Sequence, residues 1–449
     1  MLMESQFDTV VIGVGMAGLN AARRLQSAGQ SVAVVDSRPY GGTCALRGCD
    51  PKKVLVGAAE IMDWRRRMMG KGIDGDITIN WHDLMQFKRT FTESVPDNLE
   101  NMLKKTGVAT YHGEIQFTDT NNLQIGNHRL TAQHIVIATG ARPRDLGIRG
   151  AEFAATSTDF LELEQLPERI VFIGGGYISF EFAHIAARAG AQVSIVHRGE
   201  RPLEGFDRDL VDMLISASEA VGIDVQLNAE VTAIEPVAGH LRIQTNIGRS
   251  LDTDYVVHGA GRVPEIDGLN LPQGHVEYNQ HGIIVNKYLQ SVSNPAVYAA
   301  GDAAATEGMP LTPVAVSEGL TVVSNILKGN QRIVDYGGTP SVIFSTPALA
   351  KAGLTEAEAY AKGLKFRINY QKTSDWYSSR RTNEQFTGFK VLIEEGTDRI
   401  LGAHLLGAYA GEVINMFVLA IRHNLTASDI KRTIFVHPAE TSDITYMVS

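Results

Sequence analysis

The sequence predicts an α/β protein with two Rossmann-like dinucleotide-binding domains and a C-terminal α+β domain. Three observations predict it. A strand, a glycine-rich turn, a helix and a second strand run in order over residues 7–36. The same order returns over residues 170–201, and from Gly337 the pattern changes to longer strands with intervening helices. The expected boundaries are 1–148 and 265–338 for the first domain, in two parts, 149–264 for the second and 339–449 for the third.

The first unit opens on Phe7–Ile12, an apolar run typical of a parallel strand buried on both faces. It leads into Gly13-Val14-Gly15-Met16-Ala17-Gly18, a helix to Ala28, and a strand Ser31–Val35 that finishes at Asp36. This is a complete dinucleotide fingerprint: Gly13, Gly15 and Gly18 allow a tight turn and close approach of a pyrophosphate at a helix N-terminus. The acidic residue about twenty positions on, Asp36, is placed for ribose hydroxyls.

Next comes Gly41-Gly42-Thr43-Cys44-Ala45-Leu46-Arg47-Gly48-Cys49-Asp50-Pro51-Lys52-Lys53, with the chain's only two cysteines. Two thiols at this spacing can close a small ring. A helix starting near Pro51 places a thiol at a helix N-terminus close to Lys52, where dipole and charge favour the thiolate. One short-range staple would do little for 449 residues, so a redox pair is expected. Trp64–Arg67 reads as a solvated charged helix face, and residues 107–130 as a small antiparallel excursion. The strand His134–Ile137 ends in Ala138-Thr139-Gly140, a small-residue turn suited to lie beside a cofactor.

The second fingerprint is Ile170–Ile173 followed by Gly174-Gly175-Gly176-Tyr177-Ile178-Ser179, a helix to Ala189 and a strand Gln192–Val196. Two such folds imply two dinucleotides or one internal duplication. The second strand end carries His197 and Arg198 where the first has Asp36. Cations there suit a 2′-phosphate, so NADPH is expected over NADH, although a solvated Arg198 would read the same in sequence. The chain leaves this domain through Gly261-Arg262-Val263-Pro264. It then offers Ala300-Gly301-Asp302, an aspartate able to bond a ribityl or ribose chain, and Leu311-Thr312-Pro313-Val314-Ala315.

A net charge of −9 and a pI of about 5.8 argue against nucleic acid or an anionic membrane as main partner. Hydrophobic residues at 44% and charged residues at 20% give a globular composition. No apolar run reaches membrane-spanning length and the N-terminus enters a strand almost at once, so a cytoplasmic protein is expected.

Together, GGTCALRGCDPKK, GGGYISFE, AAGDAAA with LTPVA, and VHPAE resemble the pyridine nucleotide–disulfide oxidoreductases, the group of glutathione reductase, dihydrolipoyl dehydrogenase and mercuric reductase. The resemblance covers essentially the whole chain. It implies a homodimeric flavoprotein with FAD-binding, NAD(P)-binding and interface domains that reduces a small disulfide. FAD would use Gly13, Gly15, Gly18, Asp36, Gly42, Thr43, Thr139, Gly140, Gly301 and Asp302, and the second nucleotide Gly174, Gly176, His197, Arg198 and Arg262. The resemblance makes Cys49 the flavin-side thiol, Cys44 the thiol that attacks substrate, Lys52 and Glu181 an ion pair beside the flavin, and Tyr177 the aromatic over the nicotinamide pocket. His437 is implied as the acid/base of the partner subunit's site. No metal ligands are implied. The chain departs from the family pattern at Ser442, where a glutamate usually orients this histidine. It also has Leu320 where glutathione reductases place a carboxylate-gripping arginine, although Arg23 matches another of theirs. The C-terminus lacks the cysteine pair of mercuric reductases.

Overall fold

Strand β1 (Met3–Ile12) lies inside a seven-stranded sheet, parallel to β2 (Val32–Asp36) on one side and to β6 (His128–Ile137) on the other. In the computed structural model, which describes residues 2–449, this sheet belongs to the first of two units, residues 1–52, 87–144 and 262–336. Side-chain alternation sends Val10, Ile12, Ala33, Val35, Ile135 and Ile137 to one core and Val11, Val32, Val34 and Val136 to another. Both faces are therefore covered, which is why these strands read as unbroken apolar runs. Each fully buried aliphatic side chain contributes roughly 2 kcal/mol.

Helix α1 (Met16–Ser27) follows β1, then come β2, the short α2 (Gly42–Arg47) and α3 (Cys49–Met68). Across the sheet the order is 109–112, β2, β1, β6, 122–125, 115–119, with Val297–Ala299 also on β6. The expected antiparallel excursion holds only in part. β4 (Ile115–Asp119), β5 (Asn122–Ile125) and the first half of β6 are antiparallel, whereas β3 (Ala109–His112) pairs parallel with β2. Tyr111 of β3 packs against the same apolar face as Ala33 and Val35, which draws the segment into the main sheet. The helix Thr312–Lys328 lies on α1 so closely that a Cβ on Gly319 would stand 2.6 Å from the Ala17 carbonyl oxygen.

The second unit comprises residues 53–86, 145–261 and 337–449. Four parallel strands run in the order 223–226, 192–196, 169–173, 255–258, with the helix Tyr177–Arg188 after the third of these in that list. A three-stranded antiparallel sheet covers residues 231–253. A five-stranded antiparallel sheet is built from residues 341–407, with the helix Ala410–Arg422 packing Val413, Ile414 and Phe417 into its core. Gly388–Glu394 and Ile400–Gly407 pair antiparallel.

The Trp64–Arg67 run departs from its solvated reading. Arg67 is buried, its Nε 2.7 Å from Asp63 and its guanidinium 4.8 Å from the Trp64 ring centroid. Asp63 also accepts from Arg188 at 2.8 Å, and Arg188 donates to the Thr346 carbonyl at 2.7 Å. Burial alone would raise the Asp63 carboxyl, but Arg188 and Arg67 outweigh it and hold it below the usual range. Arg67 reads as surface in sequence because one acceptor that completes its buried site, the Thr382 carbonyl, lies 315 positions away.

Candidate functional site

The first cradle is the turn between β1 and α1. Gly13 has φ +95°, and a Cβ there would come 2.3 Å from the Ala138 carbonyl oxygen, so only glycine fits. A Cβ on Gly18 would fall 1.9 Å from the Gly13 carbonyl oxygen, which seats α1 directly on the turn. Gly42 opens α2 at φ +65°, and its Cβ would lie 2.5 Å from the Gly15 Cα. Two helices thus begin against each other, and their free N–H groups make an anion-binding corner. Asp36, at the end of β2, accepts from the Val14 N–H at 2.7 Å and the Arg38 N–H at 3.0 Å. Its carboxylate thereby fixes the turn. Thr43 stands in the first turn of α2. Thr139 follows β6; its hydroxyl is buried without a protein partner among the described residues, and Gly140 beside it has φ +74°.

Gly301 and Asp302 form a short 3-10 turn after the strand Val297–Ala299. Burial raises the Asp302 carboxyl, opposed by Arg262, which donates to the Ala141 carbonyl.

The dithiol closes the same unit. Cys44 sits within α2 and Cys49 opens α3, so the sequence places the two thiols on consecutive helices. They hydrogen-bond to each other, and the Cys49 Sγ also lies 3.4 Å from the Thr312 hydroxyl at the start of the Thr312–Lys328 helix. The Cys44 contact, aided by Thr312 and the Lys52 charge and opposed by burial, pulls the Cys49 thiol down to about 6. The same contact with Cys49, together with burial, pushes the Cys44 thiol up. Lys52 is buried. The pair is therefore asymmetric before any substrate arrives.

In the second unit Gly174 repeats the first cradle, with φ +109° and a would-be Cβ 2.6 Å from the Gly259 carbonyl oxygen. Gly176 caps the helix Tyr177–Arg188, and Tyr177 is about half exposed at its first position. Ser179 replaces the third glycine. A Cβ on Gly259 would lie 2.3 Å from the Ser179 Oγ, so the room that one partner lost has been given up by the other. His197 does not present a cation. Its Nδ1 accepts from the Gly175 N–H at 3.1 Å and its Nε2 donates to the Arg201 carbonyl at 3.1 Å, which is the neutral ring. The expectation that both His197 and Arg198 face a phosphate is thus corrected for His197: its nitrogens are spent inside the chain. Arg198 is exposed beside it.

Glu181 is buried on the same helix, accepting from the Phe344 N–H at 2.8 Å. His437 is exposed in a segment where Ile434 and Val436 are 97% and 76% exposed. The acidic groups near it are engaged elsewhere: Glu440 takes Arg381 at 2.6 Å and Asp443 takes the Ser378 hydroxyl at 2.5 Å. Ser442 donates to the Ala439 carbonyl at 2.6 Å.

Residues 7–319 match the family model described as pyridine nucleotide-disulphide oxidoreductase, and residues 339–448 match that family's dimerisation domain. The chain belongs to this family. Among curated relatives of this disulfide oxidoreductase, a glutathione reductase of Burkholderia cepacia is 32% identical over 97% of each chain. A dihydrolipoyl dehydrogenase of Bacillus subtilis is 31% identical over 96% of this chain and 93% of its own. Among solved structures, the Cu(II) complex of the HOCl-induced flavoprotein disulfide reductase RclA of Escherichia coli superposes with a TM-score of 0.90, at 26% identity, over 99% of each chain. The protein is an FAD-dependent NAD(P)H disulfide oxidoreductase. Among the described residues no helix is long and apolar enough to cross a membrane.

The first cradle fits the flavin dinucleotide: the glycines leave the space a Cβ would fill, and the Thr139 hydroxyl awaits a partner. Two residues escaped the sequence reading. Thr312 carried a usable signal, a hydroxyl just before a helix-starting proline in the LTPVA run. Glu318 carried one too, as an acidic residue inside an apolar helix, 1% exposed.

Proposed function

We propose that this enzyme takes NADPH as its reductant and reduces a small-molecule disulfide through Cys44 and Cys49 as a homodimer, in a reducing compartment such as the cytoplasm. Two thiols on consecutive helices, with the Cys49 Sγ 3.4 Å from the Thr312 hydroxyl, carry the disulfide part of this reading. Bound FAD, held by the Gly13–Gly18 turn, Asp36, the start of α2, Thr139, Gly140 and the Gly301–Asp302 turn, supplies the two-electron exchange between nicotinamide and the protein's sulfur pair. The Gly174–Gly176 turn holds the nicotinamide dinucleotide, with Tyr177 at its mouth. Arg198 takes the 2′-phosphate while His197 holds the turn in shape.

From the reduced pair, the Cys44 sulfur attacks one sulfur of the substrate disulfide as a thiolate. An S–S bond breaks, a mixed disulfide forms on Cys44, and one thiolate leaves. The Cys49 thiolate then attacks the Cys44 sulfur, expels the second substrate thiolate and closes the Cys44–Cys49 bond. His437 protonates the leaving thiolates, acting in the partner's site, where a ring N–H can donate. A depressed Cys49 and a raised Cys44 suit this division. The resting thiolate sits on Cys49, and Cys44 becomes the nucleophile when its proton is taken.

Leu320 at the carboxylate-gripping position favours a disulfide other than glutathione's, so the decisive measurement is a substrate panel. Turnover with NADPH is compared across glutathione disulfide, lipoamide, other low-molecular-weight disulfides, quinones and Hg(II), in wild type and Cys44→Ser. Disulfide turnover is expected to vanish in the variant. Its survival would overturn the dithiol route.

A further inference from the structure

Beside the flavin turn lies a buried carboxylate that none of the steps above uses. Glu318, 1% exposed, stands on the helix Thr312–Lys328. Its Oε2 accepts from the Gly301 N–H at 2.6 Å, and its Oε1 accepts from the Thr306 hydroxyl at 2.8 Å and the Tyr336 hydroxyl at 2.7 Å. Three donors converge on two oxygens of one anion. A carboxylate buried at this depth is costly unless its oxygens are met by donors, and here three donors come from two stretches of chain, residues 301–306 and Tyr336.

The place is what matters. Gly301 has φ +70° and immediately precedes Asp302, so the N–H that Glu318 holds sets the direction of the Asp302 turn. The helix carrying Glu318 is itself fixed. Thr312 at its start contacts Cys49, and Gly319 packs on the Ala17 carbonyl of the first cradle's helix. One rigid helix therefore touches the thiol pair, the fingerprint helix and the Asp302 turn, and Glu318 is its link to the last.

We propose that Glu318 is a positioning residue for the flavin, its carboxylate clamping the Gly301–Asp302 turn in the orientation that lets Asp302 bind. This rests on the reading of Asp302 as a flavin ligand. Burial raises the Glu318 carboxyl against its three donors, with Asp302 adding to the rise, so the clamp is held by geometry at a site that resists charge.

The test dilutes holoenzyme and follows released FAD by its fluorescence. Glu318→Ala leaves the Gly301 N–H and two hydroxyls without an acceptor, and the FAD dissociation constant should rise about 10-fold or more. Glu318→Gln can turn its carbonyl to the Gly301 N–H and let the hydroxyls adapt, so it should recover most of the loss and stay within about threefold of wild type. If Glu318→Ala does not fold, Glu318→Gln with Tyr336→Phe, which removes a second member of the clamp, should show the loss of about 10-fold instead. A dissociation constant unchanged in these variants, with only the melting temperature lowered, would reduce Glu318 to a structural group and overturn the proposal. Asp302→Ala separates the two ideas. If it weakens FAD while the Glu318 variants do not, the clamp alone fails; if it leaves FAD binding unchanged, the Asp302 reading fails and takes the clamp with it.

Discussion

The two nucleotide cradles solve one problem with different side chains. In the first, the carboxylate of Asp36 accepts the Val14 N–H at 2.7 Å; in the second, the imidazole of His197 accepts the Gly175 N–H at 3.1 Å. Val14 and Gly175 occupy the same place, the middle of a Gly-x-Gly turn. What both strand ends provide is an acceptor for that amide, and the charge is a separate choice. An anion suits ribose hydroxyls, whereas a neutral ring beside Arg198 leaves the local charge positive. The third glycine differs as well, as Gly18 or Ser179, because the segment facing it differs.

That last contrast sets the largest expected effect. Exchanging the two residues at this position should have unequal consequences. Gly18→Ser puts a side chain where a Cβ already stands 1.9 Å from a carbonyl oxygen, and should lower stability by about 3 kcal/mol with loss of bound FAD. Ser179→Gly only removes a buried hydroxyl that has no hydrogen-bond partner, and should cost less than about 1 kcal/mol. Thermal melting of both variants checks this. Equal losses would mean that the cradles are packed alike and that the close Gly18 contact does not matter.

Coenzyme choice comes next in size. If Arg198 supplies the charge and His197 only the acceptor, Arg198→Ala should lower kcat/KM for NADPH by about 10-fold and leave NADH nearly unchanged. His197→Asp keeps an acceptor for the Gly175 N–H but adds a negative charge, and should move preference towards NADH. Steady-state kinetics with both coenzymes decide the matter. An equal loss with both coenzymes in Arg198→Ala would remove the 2′-phosphate role.

The two cradles also show how far a sequence carries. Strand β1, the turn at Gly13 and the end at Asp36 are local as a pattern: strand, glycine turn, helix, strand and acid follow one another within residues 7–36, although the atoms that Gly13 meets, at Ala138, lie far along the chain. The dithiol was legible for the same reason, both sulfurs lying only five positions apart. What was not legible depended on pairs far apart in the chain. The role of His197 is fixed by Gly175 and Arg201, and ring nitrogens spent on backbone groups look, in sequence, like a cation beside Arg198. Arg67 reads as surface because its acceptor at Thr382 is out of sight. Glu318 needed Gly301, Thr306 and Tyr336 to acquire a meaning.

The first cradle, unlike the second, continues into a thiol pair, and the smallest effect concerns how that pair is tuned. In the reduced enzyme the ultraviolet thiolate absorbance should titrate for one sulfur with a midpoint of about 6, and Cys49→Ser should abolish it. The Cys49 thiol is held below its unfolded value, so its ionisation stabilises the reduced fold above the ordinary thiol range. That contribution fades as pH falls through about 6 and is gone below it. Cys44→Ala, which removes the largest cause of the depression, should raise the midpoint most. Thr312→Val should raise it less and Lys52→Met least, in the order of their contributions. At pH 7 the first change should cut the thiolate fraction by less than about tenfold, and the last should be barely measurable. A midpoint that ignores Cys44 and follows Lys52 instead would mean that charge, and not the second thiol, prepares Cys49.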